Sequence, residues 1–330
     1  MEFLTLNKIF AANYYAVPDY QRDYEWTNSQ NSVLADDIFS LIDDSNEKHF
    51  IGAIVTIPFE SNDATTLSID LEDYEIEHAK VKHIVDGQQR LTSLSVFCRA
   101  LIDTMQDDSS IDDNQKTQQK KKVLNILEGQ DFHKTTDNSA PRLMLNGNTG
   151  NCYNKEILKQ SDTPCNKGYR GAKRLLVAYD LFVKEINSKK VELINDSTCN
   201  NSLDYYKKLI KVVTDKIQFV EIECDKSYNA FQVFDSLNGK GLDLTAADRI
   251  KNIMLSWSPK GKGIQKWESI VSEVGEEYLA NFFVSLFFYI NSRRTSKNKL
   301  PDQFRNTYKD AAADNFDNFY NKLKEELKNT

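Results

Sequence analysis

Between Ser32 and Ile42 the apolar residues Val33, Leu34, Ile38, Leu41 and Ile42 recur at spacings that place them on one stripe of a helix. From Phe50 to Phe59 the pattern changes to an apolar, β-branched run ended by Pro58, which predicts a buried strand. Ser61 to Lys80 is polar and acidic and predicts a loop or hairpin excursion. Val81 to Val85 predicts a second strand, which runs directly into Asp86-Gly87-Gln88-Gln89-Arg90. Behind that turn Leu91, Leu94, Cys98, Leu101 and Met105 mark a helix by their spacings of three and four. Residues 106–122 are polar and read as a solvated connection ending in Lys120-Lys121-Lys122. From 121 to 193 the pattern is mostly helical, with an irregular middle around 147–171. An amphipathic helix follows at 203–213, a strand at 217–222 and a helix at 228–237. After a turn at 238–241, Thr245 and Asp248 form a capping-box pair ahead of Ile250, Ile253, Met254 and Trp257. The rest, 258–330, reads as helical and polar apart from the apolar stretch 282–290.

Composition sharpens this outline. The 330 residues hold only 12 glycines and 6 prolines, and no Gly/Pro-rich linker divides them. Apolar residues at 40% and charged residues at 28% are the balance of a soluble globular protein. The net charge of −7 argues against a chain that wraps phosphate backbones with its whole surface. Nucleic-acid contact must then be local, and the basic clusters are Lys120–Lys122, Arg170–Arg174, Lys260–Lys266 and Arg293–Lys299. The run Phe282–Ile290 is about half of the ~20 residues a membrane helix needs, and the N-terminus lacks the features of a secretory signal, so no membrane role is expected. The five cysteines have irregular spacing and no Cys-x-x-Cys, which argues against a disulfide framework or structural zinc and fits a reducing cytoplasm.

Three segments can carry chemistry, and each has a plain reading beside the functional one. In the first, Asp86 can cap the helix, with Gln89 reaching back and Gly87 easing the turn. That leaves Gln88 and Arg90 unexplained. A cation in a first helical turn opposes the helix dipole unless an anion such as a triphosphate sits there, and the glutamines can orient water or a phosphate oxygen. The second segment is Val17-Pro18-Asp19-Tyr20-Gln21-Arg22-Asp23-Tyr24-Glu25-Trp26. Its aromatics either seal a core edge, or Tyr24 and Trp26 offer stacking faces to a base beside donors from Gln21 and Arg22. The third, Phe234 to Leu244, carries Asn238-Gly239-Lys240-Gly241, which is either a tight turn or a backbone approach to a ligand. It is neither a P-loop nor a dinucleotide fingerprint. Nothing in the chain resembles a nucleophile elbow, a His-Glu-x-x-His zinc motif or a nuclease signature.

Together the segments Val-Pro-x-Tyr-Gln-Arg-x-Tyr-x-Trp (17–26), Asp-Gly-Gln-Gln-Arg-Leu-Thr-Ser-Leu (86–94) and Phe-x-x-Leu-Asn-x-x-Gly-x-x-Leu-x-x-x-Asp-x-x-Lys-Asn (234–252) resemble the N-terminal domain of GmrSD-type restriction proteins, which SspE-like phage-defence proteins share. The strand with Phe50-Ile51-Gly52 fits the same pattern, and the resemblance spans about residues 1–290. It implies an α+β fold: a ParB/sulfiredoxin-like mixed α/β core with a large, mostly helical insertion and a helical C-terminal region. The expected organisation is a nucleotide-binding domain over 1–256, with the insertion at about 106–215, and a helical region over 257–330. The resemblance also implies an NTP-binding and NTP-hydrolysing domain that controls restriction of modified or foreign DNA. Asp86, Gln88, Gln89 and Arg90 become the catalytic expectation, with Mg²⁺ on Asp86. Gln21, Arg22, Trp26, Gly87, Thr92, Asn238 and Lys240 become the nucleotide-binding expectation. The chain stops before the His-Asn-His nuclease that often follows in the family. A nuclease domain or subunit is therefore the expected partner, and DNA is reached through a local basic patch. The alternative kept beside this is a non-hydrolysing nucleotide- or DNA-sensing module that gates a partner nuclease.

Overall fold

The computed structural model describes residues 2–19, 21–42, 47–59, 80–129, 140–224, 245–258 and 263–328. The fold is α+β, and the chain divides into two compact units. The first comprises 1–17, 23–61 and 69–230; the second comprises 18–22, 62–68 and 231–330.

The first unit is built on a six-stranded mixed sheet in the order β1-β8-β3-β4-β2-β7. Its strands are β1 (Phe3–Thr5), β2 (Tyr14–Ala16), β3 (His49–Pro58), β4 (Val81–Asp86), β7 (Leu143–Met144) and β8 (Ile217–Glu223). A two-residue pair, β5 (Glu128–Gly129) and β6 (Ala140–Pro141), stands apart from it. The predicted strands at 50–59, 81–85 and 217–222 are the three central ones: β3 runs antiparallel to β4 and parallel to β8. The register of β3 against β8 slips between Phe50 and Gly52. There Gly52 takes a φ of 138°, which a side chain disfavours.

Against the sheet lies α3 (Gln88–Asp107), the helix predicted behind the Asp-Gly-Gln-Gln-Arg turn. All five residues of its predicted stripe are buried, but so is most of the remaining circumference, including Thr92, Ser93, Ser95 and Thr104. Each polar side chain in such a helix needs a partner. Ser93 meets the Tyr24 hydroxyl at 2.7 Å, Ser95 meets the Tyr153 hydroxyl, and Thr104 donates to the Ala100 carbonyl at 2.9 Å. The Thr104 carbonyl in turn accepts from the Tyr206 hydroxyl at 3.0 Å. The long α6 (Arg170–Asn195) packs along α3, and α7 (Ser202–Lys211) confirms the helix predicted at 203–213.

Four expectations are corrected. In α2 (Asn28–Ser40) Val33 points outward at 58% exposure, because Asn31, Leu34, Ala35, Ile38 and Phe39 form the inward face. Most of the supposed solvated connection is a helix, α4 (Asp113–Leu127), capped by Asp112. Its inward face carries Lys116 and Gln119 beside Val123, Ile126 and Leu127, so a polar sequence hides the stripe. The mostly helical reading of 121–193 misses β7, which precedes an irregular middle holding the short α5 (Gly147–Cys152) and a π-turn at Tyr153–Ile157. That middle also joins Cys152 to Cys165 in a disulfide that their spacing did not suggest. Asn148 and Asn166 bond across the same loop at 2.7 and 2.9 Å and bring the two cysteines together.

Among its described residues the second unit contributes the α-helices α8 (Ala246–Trp257), α9 (Gly263–Val274), α10 (Leu279–Asn291), α11 (Leu300–Asp314) and α12 (Phe316–Lys328). The capping box of α8 forms as expected: Asp248 accepts from the Thr245 amide at 2.9 Å, and Thr245 accepts from the Asp248 amide at 3.1 Å. Aromatic rings hold the bundle together. Trp257 stacks on Phe304, Trp267 stacks on Phe283, and Phe319 meets both Trp257 and Phe304 edge-on. No helix among the described residues is long and apolar enough to cross a membrane.

His83 in β4 is a built-in acid sensitivity of the first unit. It is 2% exposed, meets Phe59 edge-on, and its Nε2 has no hydrogen-bond partner among the described residues. Burial lowers its pKa from 6.5 to about 4. Between those values the unfolded chain binds more protons than the folded one, so acidification favours unfolding. We expect this residue to remove about 3 kcal/mol of stability between pH 7 and pH 4. Denaturant titrations across that range should show a shallower pH slope for His83→Met than for the wild type; equal slopes would refute the assignment.

Candidate functional site

The turn between β4 and α3 is made by one residue. Gly87 takes a φ of 95° and caps α3 with no side chain involved. Asp86 therefore does not cap the helix. It is the last residue of β4, paired with Val55 of β3, and its side chain belongs to the strand end. A Cβ on Gly87 would lie 3.2 Å from the Ala53 carbonyl oxygen and 3.3 Å from the Ile54 Cα. The turn thus presses directly on the backbone of β3, and only glycine satisfies both the φ and the fit.

Arg90 lies over the slipped part of that strand. Its Nη1 donates to the Ala53 carbonyl at 2.8 Å. A Cβ on Gly52 would stand 2.8 Å from the same Nη1. The bulge and the bare backbone at Gly52 thus form a shelf on which the guanidinium rests. That contact uses one of the five guanidinium N–H donors. The first turn of α3 contains no acidic residue, so Arg90 sits unbalanced at the positive end of the helix dipole.

Gln89 turns the other way. Its Nε2 donates to the Asp23 carbonyl at 2.9 Å, and its Oε1 accepts from the Glu25 amide at 2.7 Å. One buried amide thereby clamps both sides of the Asp23–Glu25 backbone. Gln89 was expected to reach back to Asp86; it reaches a different segment instead. Gln88 is also buried, and Thr92 lies one turn further into the core. Trp26 is partly buried and packs against the core, whereas Tyr24 is a core residue. The Tyr24 hydroxyl bonds Asn31 at 2.9 Å and Ser93 at 2.7 Å. Burial raises its pKa to about 12, although those bonds and nearby Arg174 act against the rise.

The clamped segment also gathers side chains from the loop and helix at 149–174. Asp23 accepts from the Tyr169 hydroxyl at 2.9 Å and from the Thr149 hydroxyl at 3.1 Å. Arg174 donates to the Glu25 carbonyl at 2.8 Å, and both Arg170 and Arg174 lie 3.9 Å from the Glu25 carboxylate. These two arginines open α6, whose first turn holds no acid and whose N-cap Tyr169 makes no capping bond through its side chain. The signal was present in Arg170-Gly-Ala-Lys-Arg174: cations at a helix start, as at Arg90. It was masked by the frequency with which basic runs are solvated faces.

Gln21 and Arg22 belong to the second compact unit, where the Gln21 carbonyl accepts from Lys251 at 2.8 Å. Asn238 and Lys240, with the whole segment Phe234–Leu244 and the helix expected at 228–237, lie outside the described residues. Among the described residues no three His, Cys, Asp or Glu side chains converge as a metal cluster. A lone carboxylate at a strand end is instead a donor set for Mg²⁺, which takes one or two protein carboxylates and completes its shell with phosphate and water. Asp86 has that chemistry.

The Gln89 clamp gives a direct test. Gln89→Ala should cost about 1 kcal/mol in denaturant unfolding, because it removes two hydrogen bonds and leaves a part-buried N–H and C=O unpaired. It should also speed hydrogen exchange at the Glu25 amide. Unchanged exchange there would contradict the clamp.

Residues 4–255, well over half of the chain, match the family model described as the GmrSD restriction endonuclease, N-terminal domain. No curated protein matches the chain.

Proposed function

The chain belongs to the GmrSD restriction endonuclease N-terminal domain family, and from that premise we propose that it binds and hydrolyses nucleoside triphosphates to regulate restriction of modified or foreign DNA. Its membership places it with a restriction system; the nucleotide chemistry is our reading of the site. The observation that carries the reading is Arg90, a cation fixed in the first turn of α3 by the Ala53 carbonyl and the bare Gly52 backbone. A fixed cation beside a helix N-terminus is costly alone and favourable with a phosphate present.

In this reading the triphosphate lies at the start of α3. Arg90 takes phosphate oxygens with its remaining donors, as charge-assisted hydrogen bonds. Gly87 lets the chain pass close by without a side chain in the way. Asp86 holds Mg²⁺, which when bound shields the phosphate charge. Of the two glutamines, Gln89 is committed to the Asp23–Glu25 backbone and acts as a positioning residue. Gln88 is then the one assigned to orient the attacking water. Trp26, next to the clamped segment, supplies the stacking face for the base. The partner is a nuclease domain or subunit, released or restrained by nucleotide state.

Phosphate release from ATP, GTP, CTP and UTP, measured with Mg²⁺ and with and without modified DNA, tests the proposal. Arg90→Ala should weaken nucleotide binding by about 10–100-fold, the worth of charged hydrogen bonds. Gln88→Ala should lower turnover while binding persists. Gly52→Val, which fills the shelf, should reproduce the Arg90→Ala loss while Arg90 is still present. Saturable binding lost in Arg90→Ala but without phosphate release would favour the non-hydrolysing sensor. Binding that Arg90→Ala leaves unchanged would refute the site.

A further inference from the structure

α10 is apolar around nearly its whole circumference, but only one stripe of it is used inside the second unit. Leu279, Phe283, Leu286 and Phe287 are buried, with Phe283 stacked on Trp267 and Phe287 edge-on to Tyr308. Elsewhere in the helix Phe288, Tyr289 and Ile290 are 48, 57 and 39% exposed, and Tyr278, which precedes it beside Glu277, is 59% exposed. Large rings left in water in one short region mark an interaction surface rather than random exposure.

The chain that follows supplies the charge. From 279 to 301 there are four cations, Arg293, Arg294, Lys297 and Lys299, and no acidic residue, in a chain whose net charge is −7. All four are exposed, and none has an ion-pair partner among the described residues. The strip has a defined path. Ser292 ends α10 at a φ of 51°. Asn291 ties the helix end to Tyr308 of α11 at 2.8 Å, and the Ser296 carbonyl accepts from the Lys299 and Leu300 amides at 3.0 and 2.9 Å. Arg293 and Arg294 follow Tyr289 within five residues, so their backbones lie within about 18 Å of it.

We propose that α10 and the segment Arg293–Lys299 form a binding surface for single-stranded nucleic acid. Exposed rings offer faces on which unpaired bases stack, and the neighbouring cations track the phosphates. The ring chemistry chooses this occupant. Three of the four exposed apolar residues are aromatic and two are tyrosines, which suits stacking better than insertion among lipid chains. The positive charge between 279 and 301 selects a polyanion, and a duplex keeps its base faces covered. The choice of nucleic acid over another polyanion rests on the restriction reading; the surface itself lies beyond residues 4–255 and does not involve Arg90.

The test is fluorescence anisotropy with the full chain, without nucleotide, using a labelled thirty-base oligothymidine and a duplex of equal length. Wild type should bind the single strand more tightly, with an affinity that falls steeply as salt rises. Phe288→Ala with Tyr289→Ala should weaken single-strand binding about tenfold or more and leave weak duplex binding unchanged. Arg293→Ala with Arg294→Ala should weaken both and flatten the salt dependence. Every substituted side chain is exposed, so folding should be kept, which the melting temperature checks. Arg90→Ala should bind oligothymidine as wild type does; this separates the surface from the nucleotide site. The proposal is overturned if oligothymidine does not bind, or binds equally well to both double variants. It is also overturned if light scattering shows a dimer that Phe288→Ala with Tyr289→Ala converts to a monomer, since the face would then join two copies of the chain.

Discussion

A helix buried on every side sets the terms for the rest of the first unit. α3 carries serine, threonine and glutamine among its leucines, and water reaches almost none of them. Each buried hydroxyl or amide left unpaired would cost about 1–3 kcal/mol. The surrounding elements are therefore placed as much by polar bookkeeping as by apolar contact. Tyr24 arrives to meet Ser93, Tyr153 to meet Ser95, Tyr206 to meet the Thr104 carbonyl, and the backbone of 23–25 to meet Gln89. That last contact gives a segment without regular secondary structure a fixed position.

Successive residues of a helix project about 100° apart, and the first turn of α3 uses this to separate two roles. Gln89 faces the Asp23–Glu25 segment and binds it through both ends of its amide. Arg90 faces β3 and keeps most of its donors uncommitted to Ala53. Both directions depend on how closely the strand and the turn approach. Gly87 presses on Ala53 and Ile54, and Gly52 leaves room for the guanidinium. A bulge in a central strand weakens the ladder locally. Here it faces Arg90, a cation that opposes its own helix dipole. The irregularity and the electrostatic mismatch occur at the same place.

The parts of this arrangement that rest on local periodicity were legible in the sequence. The three central strands, α3 with its stripe, α7, and the Thr245 capping box follow from apolar spacing and cap chemistry alone. The parts that rest on distant partners were not. Asp86 has every local credential of an N-cap, yet the strand holds it and Gly87 takes the cap position in a conformation that spacing does not reveal. Gln89 satisfies a capping-box pattern, yet two backbone groups more than sixty residues away claim it. Val33 fits the stripe of α2 by number, yet the rotation of that helix is set by what packs around Asn31 and Phe39. α4 was hidden because Lys116 and Gln119 occupy inward positions with apolar stems, and a polarity pattern cannot distinguish a stem from a head group.

Net charge misleads for the same reason that local pattern does. A value of −7 averages over the chain, while recognition depends on where the few uncompensated cations stand. Arg90 faces only the Ala53 carbonyl among its described hydrogen-bond partners. Arg293, Arg294, Lys297 and Lys299 follow one another without an acid between them. An acidic surface elsewhere does not cancel these sites at ordinary ionic strength, because screening confines each field to about 8–10 Å. It instead repels polyanions from the remainder of the molecule. An acidic average with a few locally uncancelled cations thus favours anion contact at defined places over adhesion along the whole surface.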